Sequence, residues 1–147
     1  MYSRIVVGTD GSDTAATAVD HAAALARAFG ATLDVVHAYR PISKLGVAFG
    51  ALPIEVDDVQ DQLVAAAGAV VDHAAAAPRA AGTVCETHAV AGDPSDALIE
   101  VAERVGAELL VVGNHGMEGV RRMLGSVPNT ISHHAPCSVL IVDTRTS

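Results

Sequence analysis

The sequence predicts an α/β fold: an open, five-stranded parallel sheet with helices on both faces and a doubly wound, Rossmann-like course. Three observations carry that prediction. Short apolar runs alternate with stretches whose apolar residues recur at helical spacing, the mark of successive strand-helix units. The runs at Arg4 to Thr9 and Glu108 to Val112 have continuous apolar centres, as strands covered on both faces must. Half of the residues are hydrophobic, yet only 3% are aromatic and none is Trp, so the core must be built from Ala, Val, Leu and Ile, which lets helices pack closely on a sheet. At 147 residues the chain suits one domain, residues 1–147, able to bury a core without disulfides or metal staples.

Each element has its own signal. The strand Arg4 to Thr9 leads into a helix carrying Ala15, Val19, Ala22, Leu25, Ala26 and Phe29 at helical spacing, with Gly30 placed to stop it. Ala31 to Tyr39 is the second strand, built on Leu33, Val35 and Val36. Arg40 to Pro53 contains two prolines and two glycines, and a connection this long is read as a lid. Val56, Val59, Leu63, Ala67, Val70 and Ala74 mark the next helix, which Pro78 and Gly82 separate from a strand at Thr83 to Val90. The mixture of Val84, Glu86 and His88 predicts an edge position for that strand, with the strands at Arg4 and Glu108 central. Asp93-Pro94 opens a helix whose apolar face is Leu98, Val101, Ala102 and Val105, and Gly106 ends it. After Glu108 to Val112 come a helix through Ile131 and a last strand, Ser138 to Val142. Strands joined through helices imply right-handed crossovers, with ligands expected outside the carboxyl ends of the strands near the topological switch point.

The chemistry concentrates at such a strand exit. Val111-Val112-Gly113-Asn114-His115-Gly116, followed by Gly125-Ser126-Val127, places glycines where backbone N–H groups can approach an anion that a Cβ would hold off. Ser126 suits a helix N-cap, Pro128 is tolerated in the first turn, and the N-terminus of that helix would add free N–H groups and the positive end of its dipole. Arg121 and Arg122 lie between the two halves, and Arg122 is the preferred charge for a phosphate. His115, inside the loop, can donate to a phosphate oxygen when protonated, or can simply fill the loop. The first strand ends in Gly8-Thr9-Asp10-Gly11-Ser12, a second wall of the same cleft. Asp10 there can accept from an adenine amino group or a ribose hydroxyl, or can form an Asx turn capping the first helix.

Composition narrows the partners. A formal net charge of -8 opposes binding to nucleic acid or to an anionic membrane surface, but not to one small anion in a local basic pocket. No targeting segment or membrane span is visible, so a cytoplasmic protein is expected. Cys85 and Cys137 read as buried free thiols. His133 and His134 are adjacent and diverge on a helix, so no metal site is expected. No Walker lysine, Gly-x-Ser-x-Gly elbow or dinucleotide fingerprint occurs, and Lys44 is the only lysine.

Val6-Val7-Gly8-Thr9-Asp10-Gly11-Ser12, Ala91-Gly92-Asp93-Pro94, the stretch Val111 through Val127 and Val139-Leu140-Ile141-Val142 together resemble the universal stress protein family, nucleotide-binding class, over nearly the whole chain. The resemblance implies strand order 3-2-1-4-5, a homodimer paired through the last strand, and ATP, with Mg, or a related adenine nucleotide. It places adenine against Gly8, Thr9, Asp10 and Ala38 with Val112 beneath. Phosphates would run along Gly113, Asn114, His115 and Gly116 and along Gly125, Ser126 and Val127, with Arg122 meeting them. Gly116 and Gly125 enclose eight residues where the family usually has nine, which bears on the outer phosphates. Two functions follow: a non-catalytic stress-response regulator acting through nucleotide occupancy, or a slow ATP hydrolase. AMP or cyclic AMP is the alternative ligand.

Overall fold

The structure, a computed structural model, describes residues 1–42, 56–114 and 127–145. Among these, β1 (Arg4–Gly8), β2 (Thr32–Tyr39), β3 (Cys85–Ala91), β4 (Leu109–Gly113) and β5 (Ser138–Val142) alternate with α1 (Asp13–Phe29), α2 (Val56–Ala80), α3 (Pro94–Val105) and α4 (Val127–His134). The strands form one sheet in the order β3-β2-β1-β4-β5, every pairing parallel, as the resemblance implied. β1 and β4 are internal and β3 is an edge.

The pleat divides the core in two. Ile5, Val7, Leu33, Val35, Leu109 and Val111 face one way, beneath Ala18, Ala22 and Ala26 of α1 and Val71 and Ala75 of α2. Val6, Val36, Leu110 and Val112 face the other, beneath Leu98, Val101 and Ala102 of α3 and Ile131 of α4. Alanines supply the helix side of the first layer, so α1 can approach the sheet closely, which is how a core with few aromatics is filled.

Helix ends follow their local signals. Ser12 caps α1 by accepting the Ala15 N–H at 3.1 Å, and Gly30 ends it in the left-handed region at φ 67°. Asp93 caps α3 through the N–H groups of Ser95 and Asp96, at 2.9 and 3.3 Å, with Pro94 in the first turn. α2 departs from expectation by running through Pro78 to Ala80. Proline so near the end forfeits one intrahelical bond, and the Pro78 carbonyl accepts from Thr83, tying the helix end to the approach of β3. Thr83 and Val84 consequently precede the ladder, which begins at Cys85 and runs to Ala91. α4 extends past Ile131 to His134, and the boundaries of β1, β2 and β4 differ from expectation by one residue. Cys85 and Cys137 are free but half-buried, because each lies on the flank of the sheet; burial raises both thiols above the ordinary range. The proposed lid lies outside the described residues beyond Ile42. No helix among the described residues is long and apolar enough to cross a membrane.

Candidate functional site

The sheet splits where the chain leaves it. β1 pairs with β4 only as far as Val7 with Val111, whereas β1 stays with β2 to Gly8 and Val36, and β4 stays with β5 to Gly113 and Val142. Beyond Val7 and Val111, β1 and β4 are therefore held by their outer neighbours and not by each other. This is the switch point, where successive connections leave toward opposite sides of the sheet.

The β1 wall is tightly built. Thr9 N–H donates to the Val36 carbonyl at 2.9 Å, and the Nδ1–H of His37 donates to the Thr9 carbonyl, also at 2.9 Å. Thr9 Oγ1 accepts from Gly11 N–H at 3.1 Å, and Asp10 Oδ1 accepts from Ser12 N–H at 2.9 Å, an Asx turn that delivers Ser12 to its capping position. One carboxylate oxygen of Asp10 thus serves the turn; Oδ2 makes no hydrogen bond among the described residues. Gly11 takes φ 84°, which a residue with a Cβ would resist. At Gly8 a Cβ would meet Leu98 Cδ1 at 3.0 Å, so the room that glycine leaves is taken by α3.

On the β4 wall, Val112 is buried in the layer shared with Val36, Leu98 and Ile131. Gly8 and Ala38 alternate with their neighbours so as to face that same side. Asn114 is used differently from what its place in the glycine run suggests. Its N–H donates to the Val142 carbonyl at 2.8 Å, and its side-chain Oδ1 accepts from Thr144 N–H at 2.9 Å and from Thr144 Oγ1 at 3.2 Å. Nδ2 donates to Asp143 Oδ1 at 3.3 Å. His115, Gly116, Arg121, Arg122, Gly125 and Ser126 lie outside the described residues; Val127 begins α4.

Fold and sequence agree in parentage. The universal stress protein family model matches residues 1–143. The chain belongs to the universal stress protein family. It is 37% identical to universal stress protein Rv1636 of Mycobacterium tuberculosis and 35% identical to universal stress protein A homolog 1 of Coxiella burnetii, covering 97% and 96% of the respective chains on both sides. Among solved structures, a universal stress protein in complex with cAMP is 38% identical, with a TM-score of 0.74 and 98% of each chain covered. The Archaeoglobus fulgidus universal stress protein in complex with dAMP is 25% identical, with a TM-score of 0.68, covering 97% of this chain and 98% of that one.

Sequence reasoning missed a second polar cluster at the opposite, amino end of the sheet. Asp34, fully buried in β2, receives Arg4 Nε and Nη2 at 2.8 and 3.0 Å and His88 Nε2 at 2.7 Å. Arg4 also pairs with Glu86, and Arg104 Nη2 lies 3.3 Å from His88 Nδ1. An arginine can only donate, so Nδ1 is the acceptor and Nε2 carries the proton given to Asp34. Asp34, Glu86 and His88 converge like metal ligands, within 4.8 Å of one another, but the cation among them is the Arg4 guanidinium. Burial pushes the Asp34 carboxyl upward, and the hydrogen bonds from His88 and Arg4 with the Arg4 charge outweigh it, leaving the group below the ordinary aspartate range. The available signal was a charged residue inside an apolar strand, which must find a partner.

Proposed function

We propose that this universal stress protein binds an adenine nucleotide in the cleft between the exits of β1 and β4 and acts as a stress-response regulator through nucleotide occupancy. The observation that carries the reading is the parting of β1 and β4 beyond Val7 and Val111, at the switch point where a fold of this topology takes its ligands. Two solved family members that resemble the chain over nearly its full length are complexes with cAMP and dAMP, which supports an adenine nucleotide as the ligand class.

In this reading Thr9, Asp10 and Ala38 border the base, with Val112 as an apolar floor. Gly113, His115 and Gly116, with Gly125, Ser126 and Val127, carry the phosphates, and Arg122 supplies the charge; Asn114, whose N–H and amide are engaged by Val142, Asp143 and Thr144, stands behind them. Asp10 Oδ2 is the acceptor aimed at the base or ribose, since Oδ1 holds the turn. The exposed edge of β5, with Ile141 45% exposed, is the surface through which two copies would pair. ATP, with Mg, is the ligand the glycine pattern favours. The shorter Gly116 to Gly125 interval and the cAMP and dAMP complexes favour a monophosphate, so AMP or cyclic AMP is the second reading.

Calorimetric titration of nucleotide-stripped protein with Mg-ATP, AMP and cyclic AMP at one salt and pH decides between them. One saturable site per chain is expected. Tightest binding of ATP places Arg122 and Ser126 on outer phosphates, tightest binding of a monophosphate makes the short loop a closed end, and binding of none sinks the proposal.

A further inference from the structure

Past Val7 and Val111, nothing in the strand ladder sets the distance between the two walls of the cleft, because β1 and β4 are each then held only on the outer side. The β1 wall is fastened to β2 by Thr9 and His37. The β4 wall is fastened to β5 by Asn114, and β5 is an edge strand with β4 as its sole partner among the described residues. Where that ladder runs out at Gly113 and Val142, the Asn114 side chain takes over and grips the next two residues, filling both lone pairs of Oδ1 with Thr144 and turning Nδ2 to Asp143. Thr144 is 2% exposed, and Arg145 closes the segment by bonding Asp143 through its N–H and its guanidinium. An asparagine meant to meet a phosphate with its amide would not have that amide committed to the far side of its own strand.

We propose that Asn114 is a positioning residue. Through it the stretch Asp143 to Arg145, beyond the last strand, sets the affinity of the nucleotide site by fixing where the β4 wall stands. This rests on the nucleotide-binding reading above. Asn114 itself contributes no side-chain contact to the ligand.

The test uses the full chain and three variants, Asn114→Ala, Thr144→Val and Thr144→Ser. Each is titrated with the nucleotide the parent binds best and followed by thermal melting. Asn114→Ala is expected to weaken binding about tenfold, Thr144→Val about three- to tenfold, and Thr144→Ser, which keeps the hydroxyl, hardly at all. Parent affinity in Asn114→Ala, with or without a lowered melting temperature, makes the clamp purely architectural and overturns the inference. A parent chain that binds no nucleotide removes the underlying reading, and the inference with it.

Discussion

Replacing Arg4 with Met should cost far more stability than its half-exposed position suggests. The Arg4 side chain is 29% exposed, but the carboxylate it serves is 0% exposed. Removing the guanidinium leaves Asp34 ionised in the interior with His88 as its remaining hydrogen-bond donor, at 2.7 Å. Breaking a buried pair from one side costs about 3–5 kcal/mol, and the surviving His88 bond places this case near the lower end, about 3 kcal/mol. The reverse change, Asp34→Ala, strands only groups that reach water, Arg4 and the 16%-exposed His88, and Arg4 keeps Glu86; about 1.5–2.5 kcal/mol is expected. Replacing both, Arg4→Met with Asp34→Leu, should recover much of the loss, since packed apolar groups can stand in for a buried pair. Glu86→Gln, at a 54%-exposed carboxylate, should cost less than about 1 kcal/mol. Urea unfolding with a shared slope measures all four, and the Arg4→Met loss corresponds to a fall of about 6–12 °C in melting temperature for a chain of this size. An Arg4→Met variant within about 1 kcal/mol of the parent, or a double variant no more stable than Arg4→Met, would refute the reasoning.

The same carboxylate predicts an acid response. Burial raises Asp34, but the His88 and Arg4 interactions hold its folded-state pKa below the unfolded value, about 3.9, so its contribution is complete above that value and is lost as pH falls toward the folded pKa. The stability gap between the parent and Asp34→Asn should therefore narrow as pH falls below about pH 4; a gap independent of pH from about pH 5 down to the acid limit of folding would contradict this. Gly8→Ala should cost about 1–3 kcal/mol by chemical denaturation, because the new methyl would sit 3.0 and 3.1 Å from the two terminal carbons of Leu98. A companion Leu98→Ala should absorb the added volume, so an equal penalty for Gly8→Ala in that background would show that Leu98 is not the obstacle.

Much of this molecule is legible residue by residue, because its local signals act over a few positions. Gly30 and Gly106 end helices in the left-handed region that a Cβ disfavours, and Asp93 and Ser12 cap the helices they precede. The continuous apolar centres of β1 and β4 announce internal strands, and the mixed polarity of β3 announces an edge, because burial on one face or two is written into alternation. Periodicity does not order the strands. The same strand-helix alternation fits several arrangements, and 3-2-1-4-5 came only from family likeness before the pairings settled it. What tertiary structure alone decided are the partners of polar side chains. Asp34 stands alone in an apolar run until register brings Arg4 and His88, 30 and 54 residues away, to its two oxygens. Asn114 belongs to a glycine loop in sequence and to the end of β5 in space. Conformational preference and capping depend on neighbours along the chain, whereas a side-chain hydrogen bond depends on neighbours across the sheet, and those exist only once strand order and register do.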